Sequence, residues 1–461
     1  MYYGGKGMRK IFIASLAIVM VSTFAASAQQ DGGQEEVVTL TVDQAVDYAL
    51  QNSRDLKSND IALLISERAK KYSWNTFLPD VQASFTVART TDLDSTLGSV
   101  NMGRGMQGLP PLSEKEKYHW VLSPNISATL NLTLAQMKAI QQAKAEYEGG
   151  KITWEQGQKK IVMGIKNSFY GLLFQQERLD IQRMSLENAR QRAEQARINF
   201  NNGRIPQLQL LNAQVTYENQ RPDVETAEQT FNQLLDTFAV LIGMPVGTKI
   251  ELSGSIEPEY VNVTMEELLE RYGDNNLEIR SAQNEIEVQK IQLSALNLRS
   301  YTPVLSIGYN FNPTGTMLPD LDWSDQGRLS FTLLFNITNM LPFSQTRQNA
   351  QALKDGISVN ELQLEKKREE QKANVRKAVD TLNQAREQID SMGRTVELAK
   401  QSYDMSVSSF NNGRMELLDV RDAQNQLDQA RLGQLGQKLN YISALMDLEY
   451  ELNSDLSEYK E

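Results

Sequence analysis

Phe200-Asn201-Asn202-Gly203-Arg204 and Phe410-Asn411-Asn412-Gly413-Arg414 spell one pentapeptide, FNNGR, twice in the chain, 210 residues apart. The agreement spreads outward from both copies. Leu208 and Leu418 keep the offset, as do Ala213-Gln214 and Ala423-Gln424. Upstream, Ile165, Leu172, Leu179, Leu186, Ala193 and Phe200 recur every seven residues, and Val375, Leu382, Ile389, Val396, Tyr403 and Phe410 do the same. A repeat of this length is a structural unit, and it precedes any assignment of fold.

Each unit has the same order. An amphipathic helical stretch opens the first (Thr41 to about Asn75) and the second (Glu266 to Leu298), and Pro79 and Pro303 end them. The period then drops from helical to two. Val81, Ala83, Phe85 and Val87 alternate with polar residues, as do Ile126, Ala128, Leu130, Leu132 and Leu134. In the second unit the alternating sets are Leu305, Ile307, Tyr309 and Phe311, then Leu329, Phe331, Leu333, Phe335 and Ile337. These are four strands with one apolar and one polar face, at the length and alternation of a membrane β-strand. Between them lie a polar, glycine-rich stretch from Thr90 to Lys117 and a loop with Pro313 and Pro319, both read as loops. Trp74, Phe77, Tyr118, Trp120, Tyr301 and Trp323 flank the strands as an aromatic belt would. After the strands come a helix of about 65 residues, roughly 100 Å long, the FNNGR turn, and a shorter helix ending near Leu241 or Leu452.

Strict heptads over such helices point to coiled-coil pairing. Ala378, Ala385, Met392, Ala399 and Ser406, three residues on, are mostly small and let neighbouring helices approach. Four strands cannot close a barrel, since lipid tolerates no open sheet edge. If the strands span a membrane, copies share one barrel: two give eight strands, three give twelve and a water-filled lumen. A periplasmic coiled coil fits the heptads equally well and leaves the strands unexplained.

Composition narrows the function. The chain has 461 residues, a formal net charge of −11, no cysteine and one histidine, His119. The acidic balance argues against nucleic acid or an anionic membrane surface as main partner. Disulfides, thiolate metal sites and a lipid-bearing cysteine are not available. The residues give no catalytic constellation, cofactor site or metal site. Gly103-Arg104-Gly105-Met106-Gln107-Gly108 has the GxGxxG pattern without the strand and helix that dinucleotide binding requires. Lys6, Arg9 and Lys10, the apolar run from Ile11 to Ala26, and Ala26-Ser27-Ala28 read as a secretory signal, with Met1 and Met8 both candidate starts. The expected division is 1–28 signal peptide, 29–39 N-terminal segment, 40–243 first repeat, 244–263 linker, 264–455 second repeat and 456–461 tail.

Leu40-Thr-Val-Asp-Gln-Ala-Val through Ser53, the prolines Pro79 and Pro303, and the paired turns NNGRIPQLQLLNAQ (201–214) and NNGRMELLDVRDAQ (411–424) together resemble the TolC-like outer-membrane efflux protein family. The resemblance spans about residues 37–455. It implies a mostly α protein with a membrane β-barrel portion: a homotrimer whose twelve-stranded barrel continues into a periplasmic α-helical coiled-coil barrel. It implies a passive exit duct of a tripartite efflux or type I secretion system in the outer membrane of a Gram-negative bacterium. The partners would be lipid, a periplasmic adaptor protein and an inner-membrane transporter. Both FNNGR turns would sit at the periplasmic tip, with Gly203, Arg204, Ile205, Gly413, Arg414 and Met415 contacting the adaptor. As residues alone, the glycines suit a left-handed helix end. In the family, acids at the position of Asp419 and Asp422 line the closed periplasmic gate, and here they stand as Leu418-Asp419-Val420-Arg421-Asp422-Ala423. Arg421 departs from the apolar neighbour the pattern has, and the first hairpin carries Gln209 and Asn212 instead. Without the resemblance the two aspartates read as a solvated first helical turn favoured by the dipole. The contrasting hypothesis is a structural envelope coiled coil or adhesin without channel activity.

Overall fold

The computed structural model describes residues 37–89, 93–108, 110–111, 120–316, 323–324, 327–411 and 414–460. The proposed signal peptide, Tyr118, His119 and Gly413 lie outside the described residues. Strand β1 (Val38–Leu40) leads into α1 (Val42–Asn52). Thr41 starts that helix: its Oγ1 accepts from the Gln44 N–H at 3.3 Å while Gln44 Oε1 accepts from the Thr41 N–H at 2.9 Å. This reciprocal capping box is the physical content of the LTVDQAV opening.

Helix α2 (Arg54–Lys71) follows a break at the buried Ser53, so the first helical stretch is two helices rather than one. A short 3-10 turn, Ser73–Phe77, carries the chain past Pro79 into β2 (Asp80–Arg89). The polar stretch after it contains helix α3 (Leu93–Met106) where the sequence suggested only loop. Its three glycines, Gly98, Gly103 and Gly105, lower helix propensity and hide it from pattern reading. Strand β3 is Trp120–Leu132. Leu134 is not its last residue; it caps α4 (Ala135–Asn201), which α5 (Gln207–Ile242) follows. Then come β4 (Ile250–Leu252), α6 (Met265–Tyr272) and α7 (Leu277–Tyr301). Next are β5 (Val304–Phe311), β6 (Thr314–Thr316), β7 (Trp323–Ser324) and β8 (Gly327–Leu334). Phe335 and Ile337 continue the alternation only in sequence, since the backbone there leaves the strand for a 3-10 turn at Ile337–Met340. Helices α8 (Gln345–Asn411) and α9 (Leu417–Leu452) complete the chain. The two long helices have 67 residues each and the two shorter ones 36.

Six short strands resolve into four. β5 and β6 pair with β3 in one unbroken register, Phe311 opposite Ile126 and Gly315 opposite Leu122. Pro313 stands in the gap, where a residue without an N–H cannot extend the ladder. β7 and β8 likewise share one register against β6 and β5. The sheet is therefore four antiparallel strands in the order β2, β3, β5/β6, β7/β8. Rows across it alternate in polarity. Val81, Ala128, Tyr309 and Leu329 stand in one row, and Gln82, Ser127, Asn310 and Arg328 in the next. Within this one chain the apolar face is bare: Val81, Phe85, Leu329, Phe331 and Leu333 are all exposed.

The helices continue the strand order as four columns. Trp154 Nε1 on α4 donates to Asp60 Oδ1 on α2 at 2.7 Å, Arg280 on α7 pairs with Glu155 on α4 at 3.5 Å, and Lys290 on α7 pairs with Glu361 on α8 at 3.0 Å. Nearer the FNNGR turns, α5 takes the place of α2 and α9 that of α7. Gly243 ends α5 at φ 92°, so close to α1 that a Cβ there would stand 2.6 Å from the Asn52 carbonyl oxygen. Asn276 at the start of α7 donates to the Glu451 carbonyl at the end of α9, at 2.8 Å. Both long helices thus run the full height, while α2 sits on α5 and α7 on α9.

The core lies at these junctions. One cluster joins Phe169, Leu173, Phe238 and Ile242 to β1 and β4, which pair in parallel. The other joins Val375, Leu382, Tyr441 and Leu448 to α6 and to the segment after α9, whose Leu456 is fully buried. Within the connecting segment Ile250, Leu252 and Val261 are buried in the core. Among the described residues no helix is long and apolar enough to cross a membrane.

Two outcomes follow. Gly243→Ala forces a side chain into a left-handed backbone against Asn52 and is expected to cost of order 1–3 kcal/mol in urea unfolding. Glu449 and Glu451 sit in the last turn of α9, which has no basic residue. Burial, first of all, pushes both carboxyls above the usual range, with Asp455 near Glu449 and Glu278 near Glu451 adding to it. A raised folded pKa means the folded chain holds its proton more tightly. The charged form therefore weighs against the fold above that pKa, and the burden lifts as pH falls through it. Glu451→Gln is expected to raise the thermal midpoint above neutral pH, with the gain shrinking as the buffer is acidified and the native carboxyl takes up its proton.

Candidate functional site

Both FNNGR segments follow the end of a long helix, and one backbone bond recurs in both. After α4 the Gly203 N–H donates to the Phe200 carbonyl at 2.8 Å and the Arg204 N–H to the Asn199 carbonyl at 2.8 Å, with Gly203 at φ 69°. That is the Schellman arrangement, which needs a left-handed residue after the helix. In the second copy the Arg414 N–H reaches the Ser409 carbonyl at 2.9 Å, the same bond shifted by 210 residues. Ile205 and Met415 are half-buried beside exposed Arg204 and Arg414. Pro206 and Glu416 then start α5 and α9.

Asp419 and Asp422 lie in the first two turns of α9, both exposed. The Glu416 N–H donates to Asp419 Oδ2 at 3.3 Å, and the Glu416 side chain in turn accepts from the backbone at Asp419. One aspartate therefore closes a capping box. The other is 3.8 Å from Nε of Arg421. Arg421 is the departure noted in the sequence, and it places a cation directly beside the second acid.

The two hairpins meet at a contact that no local pattern announces. Arg192, in the last turns of α4, donates from Nη2 to Gln424 Oε1 on α9 at 2.5 Å. Its Nε donates to the Asn188 carbonyl at 3.1 Å. Gln424 is 5% exposed. Asp428, one turn on, is half-buried; burial raises its carboxyl above the usual range, against the opposing pull of Arg431 and Arg192. Burial likewise lowers the Arg192 guanidinium from its ordinary value. This contact fixes both tips at one end of the molecule and ties the first hairpin to the second. Gln424 belongs to the repeated Ala-Gln pair, but its counterpart Gln214 is exposed. Repetition alone could not say which copy is buried.

Burial along the heptad seam fades toward this end. Ile165, Leu172 and Leu179 are buried, Leu186 and Ala193 partly so, and Phe200 is 36% exposed. Val375, Leu382 and Ile389 give way to half-buried Val396, Tyr403 and Phe410 in the same manner. Fewer buried apolar contacts mean a lower free energy for local opening.

The aromatic residues fall at both ends of the sheet. Trp74 and Tyr301 lie where helices meet strands, each about half exposed. The Tyr301 hydroxyl accepts from Arg347 Nη1 at 2.5 Å. Trp120 and Trp323 begin β3 and β7 at the opposite end. Gly103 to Met106 of the GxGxxG pattern end helix α3 instead of opening a helix after a strand. Among the described residues no group of three or more His, Cys, Asp or Glu side chains is placed to hold a metal ion.

A short antiparallel sheet drawn out into full-height helical columns is a channel-subunit fold. The chain matches the outer membrane efflux protein family over residues 45–244 and 268–453, and it belongs to that family. Nodulation protein T of Rhizobium leguminosarum bv. trifolii is 20% identical over 313 residues, which is 66% of this chain and 66% of the relative's length. Among solved structures, the Campylobacter jejuni CmeC outer membrane channel aligns with a TM-score of 0.72 at 15% identity, covering 90% of this chain and 88% of that one. The open state of the Neisseria gonorrhoeae MtrE outer membrane channel aligns with a TM-score of 0.69 at 15% identity, over 90% and 89%. The fold is shared with these channels.

Removing the link between hairpins should be felt locally. Arg192→Ala leaves the buried Gln424 oxygen without its donor, a loss of about 1–3 kcal/mol. Amide hydrogen exchange in 417–431 is expected to quicken, while the core around Phe169 and Phe238 keeps its protection.

Proposed function

We propose that the chain is the outer-membrane exit duct of a tripartite efflux or type I secretion system, acting as a passive homotrimer. The observation that carries this is the sheet with two free edges and a bare apolar face. Among the described residues β2 and β8 each pair on one side only, and exposed strand edges are not tolerated in lipid. Three copies joined edge to edge close twelve strands around a lumen lined by the polar rows. The apolar rows then meet lipid, and Trp74, Trp120, Tyr301 and Trp323 are the proposed markers of its two interfaces. Export of the chain through its N-terminal signal fits this location, as does the lack of a cysteine for acylation.

The columns below the sheet extend the lumen through the periplasm. A 67-residue helix is about 100 Å long, well beyond the thickness of one membrane. The FNNGR turns form its far end. Gly203, Arg204, Ile205, Gly413, Arg414 and Met415 are the proposed docking residues for a periplasmic adaptor, which couples the duct to an inner-membrane transporter. Asp419 and Asp422 of three copies form the proposed gate, six carboxylates about one axis. The thinning seam supports a tip that opens while the core stays fixed. The energy comes from the inner-membrane transporter, since the duct itself catalyses nothing.

Single-channel recording from purified protein in a planar bilayer tests the reading. Small discrete conductances are expected, and Asp419→Ala with Asp422→Ala should enlarge them several-fold. Equal conductances would keep the duct and remove the gate assignment. Silence from a confirmed, inserted oligomer would remove the duct.

A further inference from the structure

The collar where the helices meet the sheet has a charge unlike the rest of the chain. Residues 64–80, 133–142, 294–303 and 335–352 join the four columns to the four strands. They hold six cations, Arg68, Lys70, Lys71, Lys138, Arg299 and Arg347, against two acids, Glu67 and Asp80. The chain as a whole carries −11. The connections at the opposite end of the sheet, 90–119 and 312–327, hold seven acids and three bases. The positive excess therefore belongs to one depth of the molecule.

Among the described residues none of the six cations forms an ion pair with a carboxylate. Further along the columns cations are paired, Lys151 with Glu148, Arg183 with Glu228, Arg280 with Glu155 and Lys290 with Glu361. Collar cations rest on neutral partners instead. Lys70 lies 4.1 Å from the centre of the Tyr147 ring, Lys71 5.6 Å from that of Tyr72, and Arg347 6.0 Å from that of Tyr301. Lys138 Nζ donates to Gln141 Oε1 at 2.9 Å. Such contacts hold a cation in place without neutralising it. At the same level Trp74, Leu78, Met137, Ile337 and Phe343 are each at least half exposed. Exposed apolar side chains edged by unneutralised cations suit a headgroup layer: the apolar groups enter the acyl boundary while Lys and Arg reach the headgroups.

Building on the outer-membrane duct proposed above, we infer that this collar is a binding surface for anionic phospholipid in the leaflet on the helical side of the sheet. Net-negative headgroups settle against Arg68, Lys71, Arg299 and Arg347, all exposed. Half-buried Lys70 and Lys138 add to the field behind them. Attraction between such cations and anionic headgroups acts within a Debye length of the surface. Lys71 and Arg347 lie on tyrosine rings beside the aromatic belt, so their charge faces the same surface as the belt and not the lumen. The acidic far end of the sheet makes the preference one-sided, and the ring of lipid holds the duct at a fixed depth.

Brominated lipids quench tryptophan on contact and test this directly. Of the four tryptophans, Trp120 and Trp323 at the far end are changed to Phe, and Trp154 lies about 30 Å along α4, clear of the bilayer. Full-length protein is reconstituted in vesicles of equal phosphatidylethanolamine and phosphatidylglycerol, with one or the other brominated. At low salt, brominated phosphatidylglycerol is expected to quench Trp74 about twice as strongly as brominated phosphatidylethanolamine. The difference should vanish at about 1 M salt, and in Arg68→Gln, Lys71→Gln, Arg299→Gln, Arg347→Gln protein at low salt. Equal quenching before any charge is removed would overturn the collar and leave the duct reading standing. A preference that persists in high salt, which needs no charge variant, would also overturn it, as would one that survives the four substitutions. A shift of the channel's reversal potential toward cations in that variant, with lipid preference unchanged, would place the charges in the lumen and overturn the surface. No quenching by either lipid would overturn duct and collar together.

Discussion

Backbone N–H and C=O groups along a strand edge must find partners, and inside a bilayer no water supplies them. The free edges of β2 and β8 are the constraint on which the rest of this structure depends. They belong to the outer strands of a four-strand sheet, too narrow to close on itself. Each strand continues directly into a helix or from one, so the strand order becomes the column order. β2 follows α2, β3 leads to α4, β5 follows α7 and β8 leads to α8. Whatever satisfies the edges in the sheet therefore also decides which helices meet below it. Sheet and columns are one object, and its open sides are the same two sides from top to bottom.

Continuity along those columns depends on two small junctions. α5 stops at Gly243 because only a residue without a side chain fits between a left-handed backbone and the Asn52 carbonyl. α7 starts at Asn276, whose Oδ1 accepts from the Glu278 and Ile279 N–H groups of its own helix while its Nδ2 donates to the Glu451 carbonyl of α9. Two short helices laid end to end thereby imitate one long one. The stacked columns then match the height of α4 and α8, and both buried clusters gather at the joints.

Much of this was legible before any coordinate. FNNGR marked both helix ends because its glycine suits a left-handed residue after a helix. Alternation found all four strands, since one bare and one polar face leave a period of two. Other parts had no local signal. Helix α3 is glycine-rich, and no periodicity survives three glycines in fourteen residues. The Phe335 and Ile337 alternation ran past the true strand end because hydrophobicity does not report where hydrogen bonding stops. Least legible was the link between hairpins. Arg192 and Gln424 are 232 residues apart, and their meeting follows from column order, which is a property of packing.

The repeats also show how one sequence pattern divides into two roles. Ala213-Gln214 and Ala423-Gln424 are identical in sequence, and both alanines are buried, but the glutamines are opposite in exposure. An inner column is flanked on both sides within the chain, so Gln424 is buried and receives a charged donor. An outer column is flanked once, so Gln214 faces out beside an apolar stripe. The second hairpin has Asp419, Arg421 and Asp422 where the first has Gln209, Leu211 and Asn212. At these positions charge stands on the helix flanked on both sides within the chain, while Leu211 stands on the helix flanked once, and Leu208 and Leu418 remain alike and exposed in both.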